Sequence, residues 1–159
     1  MPLRLINITA ERLPFDSASL DLVTFSEVME HLPIERLQFV LSELSRVLRT
    51  GGLLIASSPN LASLANRIHL LRGRSPFDIP EPLTYASGQF GHIRTYTVKE
   101  TVTMMARFDL KPEVIHYDST MAEHLGDGIK KVLYRIYVVI ERWLPRSFGD
   151  TWYIVFRKA

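Results

Sequence analysis

The sequence contains no cysteine, which excludes disulfide staples, thiolate metal sites and thiol nucleophiles. It also has no apolar run long enough to span a bilayer. The most apolar stretch, residues 132–144, is short and is interrupted by Arg135, Glu141 and Arg142. The opening Met1-Pro2-Leu3-Arg4-Leu5-Ile6-Asn7-Ile8 has none of the anatomy of a signal peptide. Internal repeats and low-complexity tracts are missing too. Together these absences lead to the expectation of a cytoplasmic protein. Charge of one sign is scarce overall, with a net +2, although residues 129–159 carry seven bases against two acids. A general nucleic-acid footprint needs a broader basic face, so no specific nucleic-acid partner is expected.

What is present suits one α/β domain. A chain of 159 residues that is 47% hydrophobic and 23% charged is long and apolar enough to bury a core. Residues 3–8 and 20–25 read as strands. Residues 33–48 read as a helix, with Leu37, Val40, Leu41, Leu44, Val47 and Leu48 at helical spacing. Thr50-Gly51-Gly52 is expected to stop that helix through a left-handed glycine. Residues 53–57 read as a strand and 61–71 as a helix. Thr97-Val98-Lys99-Glu100 is a capping box that opens a helix running to about residue 108. Residues 112–117 read as a strand, 129–143 as a helix and 151–157 as a closing strand. The alternation points to a sheet with helical crossovers, and the short turn before residue 151 allows an antiparallel edge. Between residues 72 and 96, prolines and glycines mark a long functional loop or lid.

Three stretches in this order and spacing resemble the class I S-adenosylmethionine-dependent methyltransferases, in particular the branch related to ubiquinone-pathway O-methyltransferases. The first is Glu11-Arg12-Leu13-Pro14-Phe15 followed by Ser19-Leu20-Asp21-Leu22-Val23. The second is Ser26-Glu27-Val28-Met29-Glu30-His31-Leu32, running into Arg46-Val47-Leu48-Arg49-Thr50-Gly51-Gly52. The third is Ser58-Pro59-Asn60, then Gly91-His92-Ile93-Arg94-Thr95-Tyr96-Thr97. The resemblance implies a Rossmann-like sheet of order three-two-one-four-five-seven-six with the seventh strand antiparallel. Residues 3–8 would be its third strand, and residues 20–25, 53–57, 112–117 and 151–157 its fourth, fifth, sixth and seventh. The first two strands, with the glycine-rich turn that grips the cofactor, have no counterpart here. The expectation is therefore a single truncated domain over 1–159, arising from a late start or a fragment. A homodimer that repairs the open strand edge is the lesser option.

The same resemblance implies S-adenosylmethionine as cofactor and a small-molecule acceptor methylated at oxygen. Thr9, Ala10 and Glu11 follow the third strand at the adenine position, where the family usually has an aspartate and this chain has Thr9. Ser26, Glu27 and Val28 follow the fourth strand, at the methionine end. In both places an ordinary polar turn is the alternative. Glu27, Glu30 and His31 fall at i, i+3 and i+4, which on a helical turn is one face. Two carboxylates and an imidazole can hold a divalent metal such as Mg²⁺ or Zn²⁺. The small-RNA terminal-ribose methyltransferases add a distant histidine, and His92 matches its place. Metal-free relatives keep Glu-His here for structure alone, and His31 or His92 can then serve as the catalytic general base. His69, His116 and His124 have no partner pattern.

Phe77, Tyr85, Phe90 and Tyr96 are candidate walls for the acceptor, with local packing as the alternative. The helix over 129–143 is flanked by Lys130, Lys131, Arg135, Arg142 and Arg146. It either covers the sheet or makes peripheral contact with an anionic membrane through 129–146. The readings from other classes are a truncated, non-catalytic module that does not bind the cofactor alone, and a membrane-surface protein.

Overall fold

In the computed structural model, which describes residues 5–77, 92–118, 136, 139 and 145–159, four strands form one sheet. They are β1 (Leu20–Ser26), β2 (Leu48–Pro59), β3 (Leu110–Asp118) and β4 (Thr151–Lys158). In space they lie in the order β1-β2-β4-β3. β1 runs parallel to β2, and β4 runs antiparallel to both β2 and β3. This is the expected four-five-seven-six run, with the seventh strand reversed between the fifth and sixth. In β4 the alternate residues Trp152, Ile154 and Phe156 are fully buried, as the two-residue period of a strand requires.

Helix α1 (Ile34–Val47) crosses from β1 to β2 and buries Leu37, Val40, Leu41, Leu44 and Val47, the stripe predicted from their spacing. It ends earlier than its glycine pair suggested. Leu48 is already extended and wholly buried, so the chain passes straight from helix into β2. Gly51 and Gly52 serve the strand instead. While β1 advances from Leu20 to Leu22, β2 advances from Leu48 to Leu53, so the extra residues bulge out. Gly51 supplies a φ of +78°, and a side chain on Gly52 would sit 2.9 Å from the Arg49 carbonyl.

Helix α2 (Leu64–Leu71) starts at Ser63, whose hydroxyl accepts from the Asn66 N–H. Helix α3 (Val98–Ala106) starts at Thr97 with both arms of the capping box formed. The predicted first strand is a correction: residues 5–8 lie outside the sheet, and Leu5 is exposed. A strand without a hydrogen-bonding neighbour has nothing to hold it extended, and the described residues offer residues 5–8 none.

The segment before β1 is tied to α1 by side chains instead. Glu43 accepts from the Leu13 N–H, while Arg46 donates to the Leu13 and Phe15 carbonyls. Of the predicted helix over 129–143, only Ile136 and Val139 are described, both exposed. Among the described residues no helix is long and apolar enough to cross a membrane.

Candidate active site

β1 ends at Ser26, and the chain then makes a sharp turn. Glu27 takes a φ of +52°, a left-handed conformation that a side chain favours little. A short 3-10 turn, Met29–His31, follows. Both glutamates of the motif point towards the end of β2, where adjacent serines receive them. Ser57 Oγ donates to Glu27 Oε1 at 2.7 Å, and Ser58 Oγ donates to Glu30 Oε2 at 2.9 Å. The Glu27 N–H donates to the Ser57 carbonyl at 3.0 Å.

Glu30 also anchors a distant segment through its backbone. Its carbonyl accepts from the N–H groups of Ile93, at 2.8 Å, and Arg94, at 3.2 Å. These bonds carry His92 to His31, with ring centroids 5.1 Å apart and planes tilted by 55°. His31 Nε2 lies 3.9 Å from Glu30 Oε1. One ligand atom from each of Glu30, His31 and His92 falls within 4.8 Å of the others.

The structure thus gathers three of the four predicted metal-site residues. Glu27 is the exception. Its positive φ breaks the helical spacing that would have set it beside Glu30, and its carboxylate is held by Ser57. Glu30 is wholly buried, and its Oε1 has no hydrogen-bond partner among the described residues. Burial pushes its carboxyl above the ordinary carboxylate range, against the pull of backbone and Ser58 hydrogen bonds, with the Glu27 charge adding to the rise.

A groove of about 260 Å³ runs between the segment before β1, β1 itself and α1. Ile8, Leu13 and Phe15 line it from the segment before β1, Leu20, Val23 and Phe25 from β1, and Val40, Leu44 and Val47 from α1, and of the predicted cofactor residues only Val28 reaches it. Thr9 turns inward on its own loop, its hydroxyl donating to Asn7 Oδ1 at 2.7 Å, and Ala10 and Glu11 are exposed. Ser26 and Glu27 are exposed at the end of β1, with Val28 half-buried.

Of the candidate acceptor walls, Phe77 is exposed and Tyr96 is almost completely buried, while Tyr85 and Phe90 lie outside the described residues. His69 and His116 are exposed. The sequence reading gave no site role to Ser57, which stood out only as the end of a strand, or to Ser58, which entered only through the resemblance. It also missed Glu43, whose Glu-x-x-Arg spacing to Arg46 was the available signal.

Known proteins agree with this architecture. The family described as Methyltransferase domain matches residues 2–56. A S-adenosylmethionine-dependent methyltransferase of Methanosarcina mazei is 16% identical with a TM-score of 0.61, covering 98% of this chain and 66% of its own. One from Archaeoglobus fulgidus is 17% identical with a TM-score of 0.55, covering 91% of this chain and 62% of its own. Geranyl diphosphate C-methyltransferase of Streptomyces coelicolor is 20% identical with a TM-score of 0.53, covering 98% of this chain and 52% of its own. No curated protein matches the chain. The chain spans about three-fifths of the length of such solved structures. Strand order, the reversed β4 and these likenesses establish that the described sheet is part of a Rossmann-like methyltransferase fold.

Proposed function

We propose that this chain takes part in S-adenosylmethionine-dependent methyl transfer to a small-molecule acceptor, at an oxygen atom. The observation that carries the reading is the cluster of Glu30, His31 and His92 at the carboxyl ends of β1 and β2, where open α/β sheets bind their ligands. Thr9, Ala10 and Glu11 after Ile8, and Ser26, Glu27 and Val28 at the end of β1, are the proposed cofactor contacts, and Val28 also lines the apolar groove beside β1.

The sulfonium donor is already activated, so the protein's work is to align the acceptor and remove a proton. His31 or His92 takes that proton from the acceptor hydroxyl. Glu30 fixes the turn that presents His31 and, through its carbonyl, the segment that presents His92. The unpartnered Oε1 beside two imidazoles also fits a divalent cation, with Glu30, His31 and His92 as its protein ligands. Such an ion would supply Lewis acidity to lower the acceptor's pKa.

The test is methyl transfer to a panel of phenols, together with cofactor binding by calorimetry. His31→Gln and His92→Gln should each lower kcat by about a hundredfold with the cofactor Kd unchanged. Normal turnover in the double variant would sink the base assignment, and undiminished activity in EDTA would remove the metal. A non-catalytic module is the second reading. It is favoured by the outer edge of β1, which pairs with no strand among the described residues. Absence of measurable cofactor affinity would select it.

A further inference from the structure

A second pocket opens beside the cluster without belonging to it, and we propose that it binds a small organic carboxylate with an apolar body. It lies between the start of α1 and the first turns of α3, encloses about 340 Å³, and is lined by Ile34, Arg94, Tyr96, Lys99, Thr103 and Met104 among others.

The observation that points to a ligand is Tyr96. Its backbone is fixed, because its carbonyl accepts from the Leu61 N–H and from Trp152 Nε1, each at 3.3 Å. Tyr96 is 1% exposed, and its buried hydroxyl has no hydrogen-bond partner among the described residues. An unpaired buried hydroxyl costs about 1–3 kcal/mol, so its retention calls for a reason outside the fold's own hydrogen bonds.

The charges around it define the partner. Arg94 lies over the ring, 5.1 Å from its centroid, and Lys99 adds a second cation. The pocket's acid, Glu100, is already engaged: it accepts from the Thr97 N–H and hydroxyl, each at 2.9 Å, and from Arg94 at 3.0 Å. An incoming carboxylate replaces Glu100 as the partner of Arg94. Glu100 keeps its bonds to Thr97, and Tyr96, which lines the same pocket, supplies the unused hydroxyl. The fixed charge of Glu100 favours a singly charged guest over a phosphate dianion. Ile34, about half exposed, and Met104 receive the apolar body.

The Arg94 N–H bonds the Glu30 carbonyl, so the pocket and the cluster share one backbone anchor. As an acceptor subsite the pocket rests on the proposed methyl transfer. As a binding site it does not.

The experiment titrates the full chain with benzoate, using benzyl alcohol as the neutral control and phenyl phosphate as the dianion, followed by amide and arginine side-chain NMR. Benzoate should bind saturably and at least about tenfold more tightly than either control, with shifts centred on Arg94 and residues 96–99. Arg94→Gln and Tyr96→Phe should each weaken it about tenfold, and Tyr96→Phe should leave the thermal midpoint equal or higher. Equal affinity for benzoate and benzyl alcohol, or parent-like binding in both variants, would overturn the proposal. Benzoate binding in a chain that shows no cofactor affinity would uphold the pocket while the methyl-transfer reading fell.

Discussion

Two buried glutamates, both close to the β1–β2 unit, are treated in opposite ways. Glu43 on α1 uses both oxygens. Oε1 accepts from Arg46 at 2.7 Å and Arg12 at 3.3 Å, and Oε2 from Arg46 at 2.7 Å and the Leu13 N–H at 2.9 Å. The Arg46 guanidinium is the main reason its carboxyl falls to about 2. Glu30 hydrogen-bonds through one oxygen, the other having only His31 Nε2 at 3.9 Å among the described residues, and burial drives its carboxyl upward. A carboxylate with every lone pair occupied is scaffold. One with an unpaired buried oxygen is poised towards something outside the fold.

Removing Glu43 should have the largest effect. Glu43→Ala strands Arg46 and unties the segment before β1, which should lower unfolding free energy by about 3 kcal/mol in urea titrations. A loss below about 1 kcal/mol would break the contrast. Its pH dependence follows from the sign of the shift. The folded value of about 2 lies below the ordinary 4.5, so the stabilisation is complete above about pH 4.5 and is lost as pH falls towards 2. Parent and Glu43→Gln stabilities should converge across that window.

Thr97→Ala tests the scaffold around the other carboxylate. It removes the cap of α3 next to the segment anchored on Glu30, and should lower stability by about 1 kcal/mol in thermal unfolding. The smallest effect, and the one of opposite sign, belongs to Glu30→Gln. A carboxyl raised in the fold destabilises it once pH exceeds the ordinary carboxylate range, so near pH 7 the variant should match the parent or gain about 0.5 kcal/mol. A loss above about 1 kcal/mol would make Glu30 scaffold as well.

The features legible in the sequence were those specified within a few residues. Thr97 and Glu100 alone carry the capping box, and the stripe from Leu37 to Val47 alone carries α1. The Glu30–His31 pair was legible as chemistry, and His92 only through the resemblance. Features decided by distant partners were not legible. Helical counting placed Glu27 with Glu30, yet the turn after β1 sets its backbone and Ser57, thirty residues on, takes its carboxylate. Tyr96 read as a wall aromatic because nothing local reveals that Asn60 and Trp152 hold it down. Residues 5–8 had strand-like composition, but composition cannot supply a neighbour.

The placement of β4 has a consequence for how the protein is made. Residues 151–158 occupy an inner position of the sheet and, among the described residues, bridge β2 to β3. On the ribosome, β1 and β2 can pair early, but β3 has no seat until residue 158 clears the exit tunnel. Nascent chains in which residues 151–158 have not emerged should therefore leave β3 open to protease, and emergence of β4 should close it in one step.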